Sequence, residues 1–559
     1  GASSYALERT FRFHPTQLTE LLPTRGYDIP TVDLDRDEGR HVLVDRESGQ
    51  YLGHVTTELL EDGKTLLAVY PKGHGRGPNV YKRSLAGGQT WSERLPTPEN
   101  WASSREVPTI HQVMDPQTGK RRLILWSGLY PARLAHSEDD GRSWSPLEVA
   151  GDWGGIVVMG FVERLADGRY LAMFHDDGRF IAANNQAQDP PKFTLYQTIS
   201  ADGGLSWSEP SSVWEGTDIH LCEPGCIRSP DGKVLAVLLR ENSRTRNSFV
   251  IFSKDEGASW SAPRELPASL TGDRHTLAYA KDGRLFACFR DTAHESPTKG
   301  DWVGWIGTWA DLYYGRPGQY RIRFKDNKNS WDSTYPGVEV LPDGTFVVTT
   351  YGHWVEGEAP YILSARFQPE ELDARAALVP RKTVLFERGM NGVHTYRIPA
   401  LVTTNAGTLL AACDARLNDS QDLPNRIDTA LRRSTDGGRT WGEIQTIAEW
   451  SGKAGAADPC LVVDRETGRI WCAITWADGV GWRESKPGFG SDSFHLLLIH
   501  SDDDGLTWSD PMDITESVKD PSWRSAWFSP GSGLQLQSGR LLLPFSVADG
   551  EDAMLSYAT

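Results

Sequence analysis

Short apolar runs broken by Asp-Gly and resumed on the far side recur along this chain. They read LEDGKTLLAVY at 60–70, LADGRYLAMF at 165–174, SPDGKVLAVLL at 229–239, AKDGRLFACF at 280–289 and LPDGTFVVTTY at 341–351. Asp-Gly between such segments is a hairpin signal, because the glycine adopts the positive φ that a tight turn between strands requires. Helical periodicity is nearly absent. PEELDARAAL at 369–378 is the best short helical candidate.

A second pattern is laid over the first. The octapeptide Ser-x-Asp-x-Gly-x-(Thr/Ser)-Trp occurs at Ser137–Trp144, Ser200–Trp207, Ser253–Trp260, Ser434–Trp441 and Ser501–Trp508, with a degenerate copy at Ser84–Trp91 that has Ala86 in place of the Asp. The Asp side chain can cap N–H groups of its own turn, the Gly supplies a positive φ, and the Trp buries a large apolar surface beneath the turn. The first four copies start 53, 63 and 53 residues apart. That spacing predicts an all-β repeat of four-stranded blades, each with apolar faces that only its neighbours can cover. Residues 1–375 hold six units of about 62 residues and predict a six-bladed β-propeller. Residues 376–559 are enough for about three blades of a second, apparently incomplete propeller, with the boundary near Pro369–Arg381. Three blades leave an open edge, so the expectation is that the chain continues past Thr559 or that another subunit completes the ring. Residue 1 is Gly; a removed signal, a trimmed chain or an incomplete reading frame would each look like this.

Composition agrees and narrows the partners. The chain has 559 residues with 55 Gly, 33 Pro and 21 Trp, which suits many hairpins around packed cores. A net charge of −17 without a Lys/Arg-rich tract argues against nucleic acid as a partner. No apolar run is long enough for a membrane span. The six cysteines show no pairing of CxxC units; His220-x-Cys222-x3-Cys226 is a weak partial metal pattern, and buried free thiols are the better reading. No metal or cofactor is signalled. An anionic ligand would need arginines concentrated locally against the acidic background.

The octapeptide resembles the Asp-box of the sialidases, and residues 383–559 resemble that family beyond the box. TVLFERGMNGVHTYRIPALVTT is similar to the family opening, in which the (F/Y)RIP arginine, here Arg397, grips a substrate carboxylate. In LLAACDARLNDSQDLPNRIDTALRRSTDGGRTW the resemblance makes Arg416 the arginine of D-x-R and Asp422 the acid. WRSAWFSPGSGLQLQSGRLLLP at 523–544 looks like a further family segment. The first domain is more distant. HLCEPGCIRSPDGKVLAVLLRENSR and STYPGVEVLPDGTFVVTTYGHW look like the family's glutamate-bearing and late tyrosine-bearing blades, which makes Glu223 the glutamate, Arg240 a following arginine and Tyr335 the nucleophilic tyrosine. His54 stands where the first arginine should be, and YPKGHGRG offers Lys72, His74 and Arg76 in place of D-x-R. With Arg274 and Arg290 these suggest an anionic ligand; a surface pairing of Arg274 with Asp273 and of Arg290 with Asp291 is the competing reading.

The resemblance implies an exo-α-sialidase, a glycoside hydrolase acting on sialylated glycans, with a secreted or periplasmic location as the expectation. Its chemistry accounts for the residue types. Planar guanidinium groups pair bidentately with the sugar carboxylate. A tyrosine deprotonated by a paired glutamate avoids the repulsion a carboxylate nucleophile would meet. A separate acid, protonated near neutrality, serves the departing oxygen. An imidazole at His54, titrating near ~6.5 if unperturbed, predicts first-domain activity favoured by mildly acidic conditions or directed to a different sugar. The alternative is that the first propeller is a non-hydrolytic glycan-binding module; a protein scaffold is a third reading, which the arginine pattern argues against.

Overall fold

The computed structural model describes residues 23–181, 190–379, 383–438, 440–549 and 554–558. The chain divides into two compact units, residues 1–382 and 383–559. That division falls a few residues after the expected 375/376. The helix Pro369–Leu378 belongs to the first unit: Leu372 and Ala376 are buried in the same core as Phe367, and Arg284 reaches Asp373 at 2.7 Å.

Six sheets make up the first unit, each built on a sequential antiparallel meander, with Thr31–Asp33 added in parallel to Tyr320–Lys325 at the edge of the fifth. Their first strands are Thr56–Leu59, Thr109–Met114, Ile156–Arg164, Leu221–Arg228, Gly272–Tyr279 and Gly337–Val340. Each first strand contacts the next in this order, and Gly337–Val340 contacts Thr56–Leu59, so they line a common axis. The last sheet takes its fourth strand from the start of the chain: His41–Asp45 pairs with Tyr361–Phe367. Second strands such as Leu66–Pro71, Tyr170–Asp176, Leu285–Asp291 and Phe346–Gly352 are buried at every position, because neighbouring sheets cover both faces. This is why they read as nearly continuous apolar runs. Aromatic clusters fill the gaps between sheets, as with Phe286, Trp302, Phe324, Phe346 and Phe367 between the fifth and sixth.

The five Asp-Gly turns join first to second strands, with Gly63, Gly168, Gly232, Gly283 and Gly344 all at positive φ. The octapeptides follow third strands. In Ser137–Trp144 the Asp139 carboxylate accepts from the Ser143 N–H at 2.9 Å, the Ser143 hydroxyl at 2.6 Å and the Ser137 hydroxyl at 2.8 Å. Ser137 Oγ in turn accepts from the Gly141 N–H at 2.9 Å. The turn is held by these local bonds.

The second unit has a four-stranded sheet, Thr395–Thr403, Leu409–Arg416, Ile427–Ser434 and Gln445–Ala448. The next sheet begins with Ala454–Val463, Ile470–Asp478 and His495–Ser501. Smaller sheets follow within 525–558. No described helix is long and apolar enough to cross a membrane.

Candidate active site

One backbone device recurs at the head of the inner strands. In the first unit His54, Glu106, Val157, Glu223, Arg274 and Thr334, one per sheet, all have φ between 49° and 58°. In the second, Ile398 and Asp458 have φ of 57° and 61°. Strand register slips at several of these points, between Cys222 and Gly225, Asp273 and Thr276, Arg397 and Ala400, and Ala457 and Cys460. A bulge of this kind re-aims a side chain, and non-glycine residues at positive φ concentrate at functional sites.

In the first unit these turns bring Glu223, Tyr335 and Arg240 together. The Tyr335 hydroxyl donates to Glu223 Oε1, and Arg240 Nη1 donates to the same oxygen at 2.7 Å. Glu223 Oε2 is buried with no hydrogen-bond partner. Burial pushes the Glu223 carboxyl up, but Arg240 outweighs it and holds the group below its ordinary range. Burial and the Glu223 charge push the Tyr335 phenol well above the usual range. The glutamate is therefore an ionised acceptor poised on a protonated phenol, the arrangement of a base beside a latent nucleophile.

The remaining first-unit residues sit differently from expectation. His54 is in the cleft, its ring centroid 4.5 Å from that of Tyr335. It is not a cation, because burial drives its imidazole well below the ordinary value. Its Nδ1 accepts from the Gly75 N–H at 3.2 Å, which leaves Nε2–H for the Tyr351 hydroxyl at 3.3 Å. The expected acid preference therefore cannot come from His54. Arg290 does not pair with Asp291, which faces Arg321 instead. Arg290 Nε donates to Asp273 at 3.0 Å, and Nη1 donates to Ser333 O at 2.9 Å. Arg244 is bidentate on the same Asp273 at 2.5 and 2.7 Å, with Arg240 Nε 3.4 Å away. One fully buried carboxylate thus already engages three of the cleft's arginines, so Arg290 is not a free carboxylate-binding group. Arg274 is buried and unpaired with Asp273; Nη2 donates to Met159 O at 3.3 Å, Nη1 has no partner, and the guanidinium carbon is 6.0 Å from the Tyr335 ring centroid. Arg76 is exposed, and Lys72 pairs with Glu47 at 2.9 Å. His74 accepts from or donates to the Tyr51 hydroxyl at 2.8 Å beside Asp332.

In the second unit Arg397, Arg416 and Asp422 meet. Arg416, with only 1% of its side chain exposed, places Nη1 2.7 Å from Asp422 Oδ1, and Arg397 Nη1 is 3.7 Å from the same oxygen. Ser420 O accepts from both arginines, at 2.8 and 3.2 Å. Asp414 fixes Arg416 from behind at 2.9 Å. Asp422 itself is 74% exposed. Arg397 and Asp422 border a cavity of about 340 Å³ whose other walls include Asp458, Leu423, Trp482, Phe494 and Trp527. Burial, with Asp422 next, raises Asp458 to about 6. Burial and then Asp458 raise Asp414 to about 7.

Sequence reasoning passed over Glu106, Asp332 and Asp458, and took Asp273 only as a possible surface partner of Arg274. The signal for Glu106 is the repeat itself: it lies one blade after His54, as Asp458 lies one blade after Ile398. Asp273 gives no such signal, because its role depends on three arginines from three strands and loops. Among the described residues no cluster of three or more His, Cys, Asp and Glu side chains could hold a metal ion.

Two stretches of the chain resemble known proteins. Residues 118–297 and 398–559 each match a family described as BNR repeat-like domain. A sialidase of Bacteroides fragilis is 42% identical over 166 residues, 28% of this chain and 30% of that protein. A sialidase of Micromonospora viridifaciens is 38% identical over 175 residues, 30% of this chain and 27% of that protein. Among solved structures, the Hadza microbial sialidase Hz136 is 33% identical, covers 37% of this chain and 46% of its own, and has a TM-score of 0.30. The chain thus spans about a third of the length of these two curated relatives.

Proposed function

We propose that this chain, which belongs to the bacterial sialidase family, is an exo-α-sialidase that hydrolyses terminal sialic acids from glycans. The observation that carries the reading is the convergence of Arg397 and Arg416 on one oxygen beside a cavity walled by Trp482, Phe494 and Trp527. Two guanidinium groups aimed at one point hold a carboxylate in a fixed orientation, while an aromatic wall takes the apolar face of a sugar. Asp422 Oδ1 marks the spot, and a bound carboxylate would draw the same donors. The first unit, taken by itself, pairs a phenol with its base in contact, Tyr335 with Glu223.

A second reading of the first unit rests on a specific observation. Asp273 engages Arg240, Arg244 and Arg290, so the cleft has less free positive charge than an arginine count suggests, and a recognition module would need no more. The test is release of free sialic acid from 3′-sialyllactose by the full chain, with Glu223→Gln and Arg397→Ala assayed beside it. The proposal expects release, reduced by the variants. Binding of sialyllactose without release would favour the recognition reading, and neither binding nor release would remove sialic acid from the account.

A further inference from the structure

The first unit holds a carboxylate that no assignment above uses. Glu106 is the residue at positive φ in the second sheet, with a φ of 58°, and it is half-buried. Its carboxyl lies over Gly75: a Cβ built on that glycine would come within 3.0 Å of Glu106 Oε1. Gly75 N–H donates to His54, and the His54 ring packs against Tyr335. Glu106 therefore lies beside the loop that contacts His54, close enough to Glu223 for the two charges to interact. The groups facing it are His74, Arg76, Glu223 and Arg179, with the Val107 N–H bonded to its carboxylate.

We propose that Glu106 is the proton donor of the first unit's cleft, protonating the departing oxygen of a glycoside whose anomeric carbon faces Tyr335. This rests on the hydrolase reading above and makes the first unit an active site in its own right rather than a recognition module. Tyr335 Oη attacks the anomeric carbon and gives its proton to Glu223. The bond from that carbon to the leaving oxygen breaks, and the oxygen takes the Glu106 proton. Water then attacks the tyrosyl glycoside, Glu106 takes the water's proton, and Glu223 returns its proton to the phenol. Atoms and charges balance, and no co-reactant besides water is needed.

Independent features support the assignment. Burial, opposed by His74 and Arg76 and reinforced by Glu223, raises Glu106 to about 7, so much of it stays protonated near neutrality while Glu223 stays ionised. Two carboxylates whose environments push them apart are the mark of an acid and base pair. Glu106 is also on the blade position that Asp458 occupies in the second unit, and both carboxyls are raised. The ligand side is marked by two buried polar atoms in the cleft without partners, Glu223 Oε2 and Arg274 Nη1. Arg274 is a buried cation of this cleft that Asp273 does not engage, and so is open to an acidic sugar.

The test compares leaving groups on the full chain. Wild type, Glu106→Gln and Glu223→Gln are assayed on 3′-sialyllactose, whose sugar leaving group needs protonation, and on 4-methylumbelliferyl N-acetylneuraminide, whose phenol does not. Glu106→Gln is expected to lose roughly 10²-fold or more on sialyllactose, the scale of general acid catalysis, to stay within about tenfold on the aryl substrate, and to lose the basic limb of the pH profile near pH 7. Glu223→Gln is expected to lose both activities. Equal losses on both substrates, or none, by Glu106→Gln while Glu223→Gln is inactive would overturn the assignment and leave the hydrolase reading standing. A fully active Glu223→Gln would overturn it too, by moving catalysis out of this cleft. A wild type inactive on both substrates would sink the sialidase reading itself.

Discussion

Tyr335 and Glu223 are 112 residues apart, at the heads of the sixth and fourth inner strands of the first unit, and the phenol of one donates directly to the carboxylate of the other. Arg240 holds the second contact to that oxygen, so the pair keeps its geometry through a small change at either end.

Removing only the hydroxyl should therefore separate chemistry from folding. Tyr335→Phe is expected to cut turnover of 3′-sialyllactose by at least about 10²-fold, since the nucleophile is gone. Its stability should fall by only about 0.5–1.5 kcal/mol, the net worth of one hydrogen bond. Turnover and urea unfolding measured on one preparation decide this, and full activity in the variant would rule out a tyrosine nucleophile.

Asp273 makes the opposite case. It is fully buried, and three guanidinium groups surround it. Asp273→Asn leaves those cations without their counter-charge and is expected to cost about 3–5 kcal/mol. Burial alone would raise this carboxyl, but Arg240, Arg290 and Arg244 together hold it far below the ordinary range. A depressed folded value means the contribution is complete above the unfolded value of about 4 and is lost as pH falls below it. The stability gap between wild type and variant should narrow as urea titrations move from pH 7 to pH 3; a gap that does not change would refute the electrostatic account.

Arg397 and Arg416 should separate by burial. Arg397, with 46% of its side chain exposed, can be replaced by Ala at a folding cost within about 0.5 kcal/mol. Binding of N-acetylneuraminic acid, followed by calorimetry, should weaken by roughly tenfold or more, as a charged hydrogen bond of about 1.5–3 kcal/mol is lost. Arg416→Ala instead strands Asp414 and should lower the unfolding midpoint markedly. Unchanged binding in Arg397→Ala would remove it from the carboxylate grip.

The degenerate octapeptide offers a gain. Ser84 Oγ already accepts from the Gly88 N–H at 2.9 Å, as its counterparts do. What is missing is the carboxylate, which at Asp139, Asp202, Asp255, Asp436 and Asp503 accepts from the N–H and hydroxyl four residues on. Ala86→Asp should let Thr90 complete the turn and add about 1 kcal/mol. A lowered unfolding midpoint would show that this turn differs from the other five.

Local features were legible in the chain because their causes are local. Each Asp-Gly hairpin formed with its glycine at positive φ, and the helical candidate at 369–378 is a helix, with the Gln368 N–H donating to Glu371 Oε1 at 2.9 Å. Charge pairing was misread because neighbours along a strand face opposite sides. Arg290 and Asp291 diverge for that reason, while Asp273 and Arg290 are cross-strand partners. His54 was read as basic from its residue type; its charge was decided by the burial that Tyr335, Tyr351 and His74 create around it. The grouping of Arg397, Arg416 and Asp422 followed from the resemblance. Glu106 has no motif around it, and only its blade position singles it out.

The pairing of His41–Asp45 with Tyr361–Phe367 bears on how the first unit is born. A ribosome delivers one of these strands at the start of the unit and its mate at the end. Throughout that interval the early strand has no partner, and an unpaired edge can recruit other chains. Nascent chains stalled before Tyr361 should therefore be the aggregation-prone species of this protein, and release of the last strand should be the moment at which protease resistance appears.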